Sequence, residues 1–111
     1  MGRIKSEEYY HQKPDNFNCA QAILKGFQHE FQVSNETVEA FRAFGGGRAE
    51  GGLCGALYAA NYLMQKVGKE PLNESFAKRI AYERCKDIKE NKRFSCEECV
   101  KIADEFVELN S

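Results

Sequence analysis

Apolar positions along the chain recur at spacings of three to four residues, and no run alternates with the period of two that a strand requires. The pattern predicts an all-α fold: a compact orthogonal bundle of about six helices around a central Gly/Ala-rich helix. A short first helix is expected around Ile4 to Gln12, stopped by Pro14. Asn16 or Asp15 then reads as the cap of a second helix, whose buried face is Ala20, Ile23, Leu24, Phe27 and Phe31. Ser34 reads as the cap of the third, with Val33 and Val38 spaced as a hydrophobic staple and Phe41 and Phe44 continuing the apolar side.

From Leu53 to Val67 the residues are apolar on nearly every side, the pattern of a helix surrounded by others, and Gly68 ends it. Asn73 is placed to cap a fifth helix carrying Phe76, Ala77, Ile80, Ala81, Cys85 and Ile88. Ser95-Cys-Glu-Glu98 has the form of a capping box, and Val100, Ala103, Phe106, Val107 and Leu109 make the apolar side of the last helix. With 111 residues and no internal repeat, residues 1–111 read as a single domain able to bury a core without covalent staples.

Charge narrows the partners. Sixteen Lys and Arg stand against 17 Asp and Glu with no block of one sign, so nothing draws the chain to nucleic acid or to an anionic membrane. The stretch Gly51 to Gln65, the longest without charge, has 15 residues, fewer than the roughly 18 to 20 of a membrane span. The first residues carry no apolar signal segment, so a cytoplasmic protein is expected.

Five cysteines are more than packing usually needs, and four fall where helices should begin: Cys19, Cys54, Cys96 and Cys99. Backbone N–H groups and the positive end of the macrodipole favour a thiolate, so these positions predict lowered thiol pKa values and reactive or metal-binding sulfur. Cys54 is the foremost candidate, since it follows the glycine-rich run 45–52 and Arg48 can add positive charge. Cys96 and Cys99 make a Cys-x-x-Cys pair, followed by Val100 rather than His, so haem attachment is not expected. The glycine run lacks both the Lys-Ser/Thr of a P-loop and a Gly-x-Gly-x-x-Gly match, which excludes nucleotide binding. His11 and His29 lie in polar stretches and read as surface residues, and Cys85 taken alone reads as a core residue.

Asn18-Cys-Ala-Gln-Ala22, Cys54-Gly-Ala-Leu after the glycine run, Cys85-Lys-Asp-Ile, and Cys96 shortly before Val-x-x-Ala together resemble the C_GCAxxG_C_C family of redox-active proteins over residues 16 to 107. The resemblance implies redox activity, helical architecture and a relation to the domain of split-Soret cytochromes. It nominates Cys19, Cys54, Cys85 and Cys96, with Gly55 and Ala56 beside the second cysteine. Two departures stand out: Ala59 occupies a position where the family usually has glycine, and Cys99 competes with Cys96 for the last position.

The leading expectation is that Cys19, Cys54, Cys85 and either Cys96 or Cys99 converge on one pocket for thiol–disulfide exchange or electron transfer, with Cys54 attacking as thiolate. That chemistry would make the chain a thiol-based oxidoreductase without a cofactor, working with a redox protein or a small thiol, and compatible with a homodimer. A second reading gives Cys19, Cys54, Cys85 and Cys96 to zinc or an iron–sulfur cluster. A third makes the chain a helical interaction module whose cysteines are packing.

Overall fold

Asn18 is where the described architecture is tied together. Its side chain accepts from the Gln21 N–H at 2.8 Å and Gln21 Oε1 accepts from the Asn18 N–H at 3.1 Å, a reciprocal capping box that starts helix α1, Cys19–Gly26. The same two side chains reach sideways. Asn18 Nδ2 donates to the Arg42 carbonyl at 2.9 Å, and the fully buried Gln21 donates through Nε2 to the Val38 carbonyl at 3.0 Å. One cap therefore also fixes α1 against the segment that follows it.

The computed structural model describes residues 5–10, 17–44, 54–80, 88 and 96–110. After α1 come α2 (Asn35–Ala40), α3 (Gly55–Lys66), α4 (Asn73–Ile80) and α5 (Cys96–Asn110), with 3-10 turns at Ser6–Glu8 and Phe41–Phe44. The described residues thus hold five α-helices and no strand, only an isolated parallel bridge between Tyr10 and Phe17. No helix among them is long and apolar enough to cross a membrane.

α1, α3 and α5 pack against one another as the core. Ile23, Leu24, Leu57, Leu63, Met64, Val100 and Val107 are fully buried, and Ala20, Ala22, Ala56, Ala59 and Ala60 let the helix axes come close. Ala59 sits in this interior at 0% exposure, so its methyl group is accommodated. Asn61 latches the next element on: its Oδ1 accepts from the Leu72 N–H at 2.7 Å and its Nδ2 donates to Asn73 Oδ1 at 2.6 Å. Asn73, expected as a cap, is the first residue of α4.

Three more boundaries differ from the periodicity. Over the described residues, the first expected helix is the single 3-10 turn Ser6–Glu8, because Ser6 is drawn inward and its N–H donates to the buried Asp104 Oδ2 at 2.8 Å. Asn18, rather than Asn16 or Asp15, caps α1. The helix also stops at Gly26, short of Phe31, where the chain turns through Gln32 at φ 54. Phe27 and Phe31 still pack edge to face at 5.6 Å, so the apolar stripe is kept while the helix is not. Elsewhere the signals hold: Ser34 caps α2 through the Thr37 N–H at 3.1 Å, and Gly68 turns the chain at φ 72 after α3.

Replacing Asn18 by Ala removes the cap and strands the Arg42 carbonyl, so unfolding free energy should fall by about 1 to 2 kcal/mol. Urea denaturation followed by far-UV circular dichroism measures it, and an unchanged midpoint would contradict this role.

Candidate redox site

The capping box makes Cys19 the first residue of α1, buried at 5% exposure. The start of α3 lies against it. A Cβ at position 55 would stand 2.6 Å from Cys19 Sγ, 3.0 Å from the Phe44 carbonyl oxygen and 3.4 Å from the Ala20 nitrogen. Glycine is therefore the residue that admits the Cys19 thiol to the N-terminus of α3. Cys54 is the N-cap of that helix, with φ −55 and ψ 131, also at 5% exposure.

The third sulfur comes from α5, where Cys99 is the fourth residue and 1% exposed. The Cys99 side chain is the strongest influence on the Cys54 thiol, which places the two within interaction range. Cys19, Cys54 and Cys99 are all free thiols, and each is delivered by the beginning of a different helix. Of Cys96 and Cys99, Cys99 is the one whose side chain is described, and it influences Cys54. Cys96 opens α5, but its side chain lies outside the described residues, as do Cys85 and Arg48 altogether. His29 is exposed. No three His, Cys, Asp or Glu residues gather as a metal site among the described residues.

The expectation of a lowered thiol pKa at Cys54 is overturned. Its hydrogen bond to Cys99 comes first among the causes, then burial, then the charge that Cys99 carries when ionised, and together they hold the Cys54 thiol well above its ordinary range. The N–H groups of Leu57 and Ala56 pull the other way and lose. Helix-start geometry is present, but burial beside a second thiol outweighs it.

An aromatic group that periodicity read only as helix packing borders the same place. Phe44, whose carbonyl faces Gly55, has its ring 5.0 Å from Tyr58, and Phe41 lies 5.1 Å from Tyr62 and 5.2 Å from Phe44. The signal was the four-residue step from Cys54 to Tyr58 to Tyr62, which sets all three on one side of α3.

Two measurements test this geometry. Gly55→Ala should destabilise by about 1 to 3 kcal/mol through overpacking, more than the roughly 1 kcal/mol that alanine gains in helix propensity. Adding Cys19→Ala should restore part of the loss, and strict additivity in this double-mutant cycle would contradict the contact. The second concerns pH. The folded state keeps the Cys54 proton that the unfolded chain releases above roughly pH 8.5, so folded protein binds more protons there and its stability falls as pH rises. The melting temperature of the reduced protein should therefore drop between pH 8 and 10, with a flatter profile for Cys54→Ala.

No curated protein sequence and no solved structure matches the chain. A sequence profile does, over residues 17–109, and its description is "Putative redox-active protein (C_GCAxxG_C_C)". With all three described thiols and the glycine between them inside that match, the chain belongs to the C_GCAxxG_C_C redox-active family.

Proposed function

We propose that the protein is a thiol redox protein whose working couple is Cys54 and Cys99, cycling between a dithiol and a disulfide. The mutual influence of these two buried thiols, brought by the starts of α3 and α5, supports this reading, since a disulfide needs two cysteines that the fold already holds near one another. Oxidation removes two electrons and two protons from the pair and passes them to an oxidant. One thiol of the pair attacks the oxidant and the other resolves the mixed disulfide. Cys19, against Gly55 at the start of α3, stands outside this couple. In a reducing compartment the dithiol is the resting form.

A zinc or iron–sulfur centre would have to draw on Cys85 and Cys96 beyond the three described thiols. The experiment separates the two. Protein purified without oxygen is analysed for metal, then treated with one equivalent of a disulfide oxidant and mapped by non-reducing peptide mass spectrometry. The expected product is a Cys54–Cys99 linked peptide that reductant reverses, abolished by Cys54→Ser or Cys99→Ser and retained in Cys19→Ser. Closing the loop between residues 54 and 99 should also raise unfolding free energy, by up to about 4 kcal/mol in the chain-entropy limit. Stoichiometric zinc or iron, or two-electron oxidation at a different pair, would overturn the proposal.

A further inference from the structure

The turn Ser6–Glu8 closes over α1 and α5 as a clasp. Ser6 is fully buried, and its N–H donates at 2.8 Å to Asp104 of α5, itself 1% exposed. Toward α1, a Cβ at Gly26 would stand 2.9 Å from Ser6 Cα, and Lys25 Nζ lies 5.9 Å from the centre of the Tyr9 ring. Toward α5, Lys5 pairs with Glu108 at 2.7 Å. The clasp is weakly held. Lys5 and Glu108 are exposed, and an exposed ion pair contributes little. Among the described residues Ser6 Oγ and Glu7 Oε1 are buried without a hydrogen-bond partner, which disfavours the closed turn. Closure therefore leans on the bond to Asp104, and that bond depends on where α5 stands.

Asp104 and Cys99 ride on the same helix, five residues apart and so about 7.5 Å along its axis. Unbonded sulfurs stop at van der Waals contact, whereas a disulfide holds them about 2.0 Å apart, so joining Cys99 to Cys54 draws their helices together by on the order of 1 Å or more. Ala56, Leu57, Val100 and Ala103, which follow the two cysteines, are at most 1% exposed, and packing this close passes the approach on to the helix as a body. The described cysteines are free thiols, so the 2.8 Å bond between Ser6 and Asp104 belongs to the reduced state, where it already has a preferred length. Movement of α5 can only weaken it.

Resting on the reading of Cys54 and Cys99 as a redox couple, we infer that the N-terminal turn is a redox-sensitive clasp, closed on Asp104 in the dithiol and loosened when the Cys54–Cys99 disulfide draws α5 toward α3. In the driving step both S–H bonds break and the S–S bond forms, and the two electrons and two protons pass to an added disulfide, which becomes two thiols. Opening the clasp transfers nothing itself. Linkage makes the effect reciprocal: a clasp that favours the dithiol resists oxidation, and a weakened one eases it.

Two readouts test the clasp. Hydrogen exchange at the Ser6 amide, followed by NMR on the whole chain before and after oxidation by one equivalent of 2-hydroxyethyl disulfide, should be at least about tenfold faster in the disulfide form. The Phe76 amide, bonded to the Leu72 carbonyl in α4, should not speed up. The second readout is the equilibrium of the couple with a buffer of reduced and oxidised dithiothreitol, measured by acid quench and peptide mass spectrometry. Asp104→Asn should move it toward the disulfide by at least about threefold, a fall in potential of about 14 mV for two electrons. Ser6→Ala, which removes the orphan hydroxyl and keeps the N–H, should move it toward the dithiol, and Ser34→Ala, at the cap of α2, should leave it in place. Ser6 exchange that is equal or slower in the disulfide form would overturn the clasp while leaving the couple in place. So would an equilibrium that Asp104→Asn leaves unmoved, that Ser6→Ala moves toward the disulfide, or that Ser34→Ala moves as far as Asp104→Asn does. If Asp104→Asn fails to fold, exchange on the unmutated chain decides alone. Absence of any Cys54–Cys99 bond after oxidation would instead bring down the couple itself.

Discussion

The packing of α1 against the start of α3 depends on one missing side chain. At Gly55 the space that a methyl group would fill is taken by Cys19 Sγ and the Phe44 carbonyl, so the two helix N-termini meet with a thiol between them. Much else follows from that approach. The capping box of Asn18 and Gln21 holds Cys19 at the first position of α1 and, through the Arg42 and Val38 carbonyls, carries α2 and the Phe41–Phe44 turn along with it. α5, packed on both helices, then has Cys99 in the place where it meets Cys54. The absence of a Cβ at one residue thus sets how closely the Cys19 thiol approaches the start of α3.

Convergent helix starts and a dry interior act on a thiol in opposite directions. Partial positive charge at an N-terminus favours the thiolate, whereas loss of water and a neighbouring thiol favour the protonated form. At Cys54 the second influence prevails, so its thiol keeps its proton to higher pH than an exposed cysteine does. A buried, protonated thiol has little tendency to react with passing electrophiles.

Helix identity was readable because each described helix begins or ends on a residue with its own local chemistry. Ser34 caps α2, Gly68 closes α3, and the apolar steps from Ile23 to Phe27 and from Val100 to Val107 find the core as their spacing requires. The positions that misled are those where a tertiary contact overrode a local pattern. Residues 5–10 have helical periodicity, but Ser6 is bonded to Asp104, which lies 98 residues away in sequence. The stripe to Phe31 is real, yet the backbone under it leaves the helix after Gly26. In the site, the glycine and the cysteines could be picked out singly. That Cys99 lies within range of Cys54, and that Cys19 meets Gly55, are relations between helices that one-dimensional spacing does not contain. The direction of the Cys54 pKa failed for the same reason, since helix position is local and burial is not.

The N-terminal turn lies outside the matched segment yet closes part of the core. The matched segment begins at residue 17, yet Ser6 is fully buried, lies against Gly26 of α1, and satisfies the buried carboxylate of Asp104, while Lys5 pairs with Glu108 at 2.7 Å. Without this turn, α1 and α5 would open Gly26 and the Asp104 carboxylate to water. The first described residues are thus the lid of the core, and the stability of α1 and α5 depends on a turn outside the matched segment.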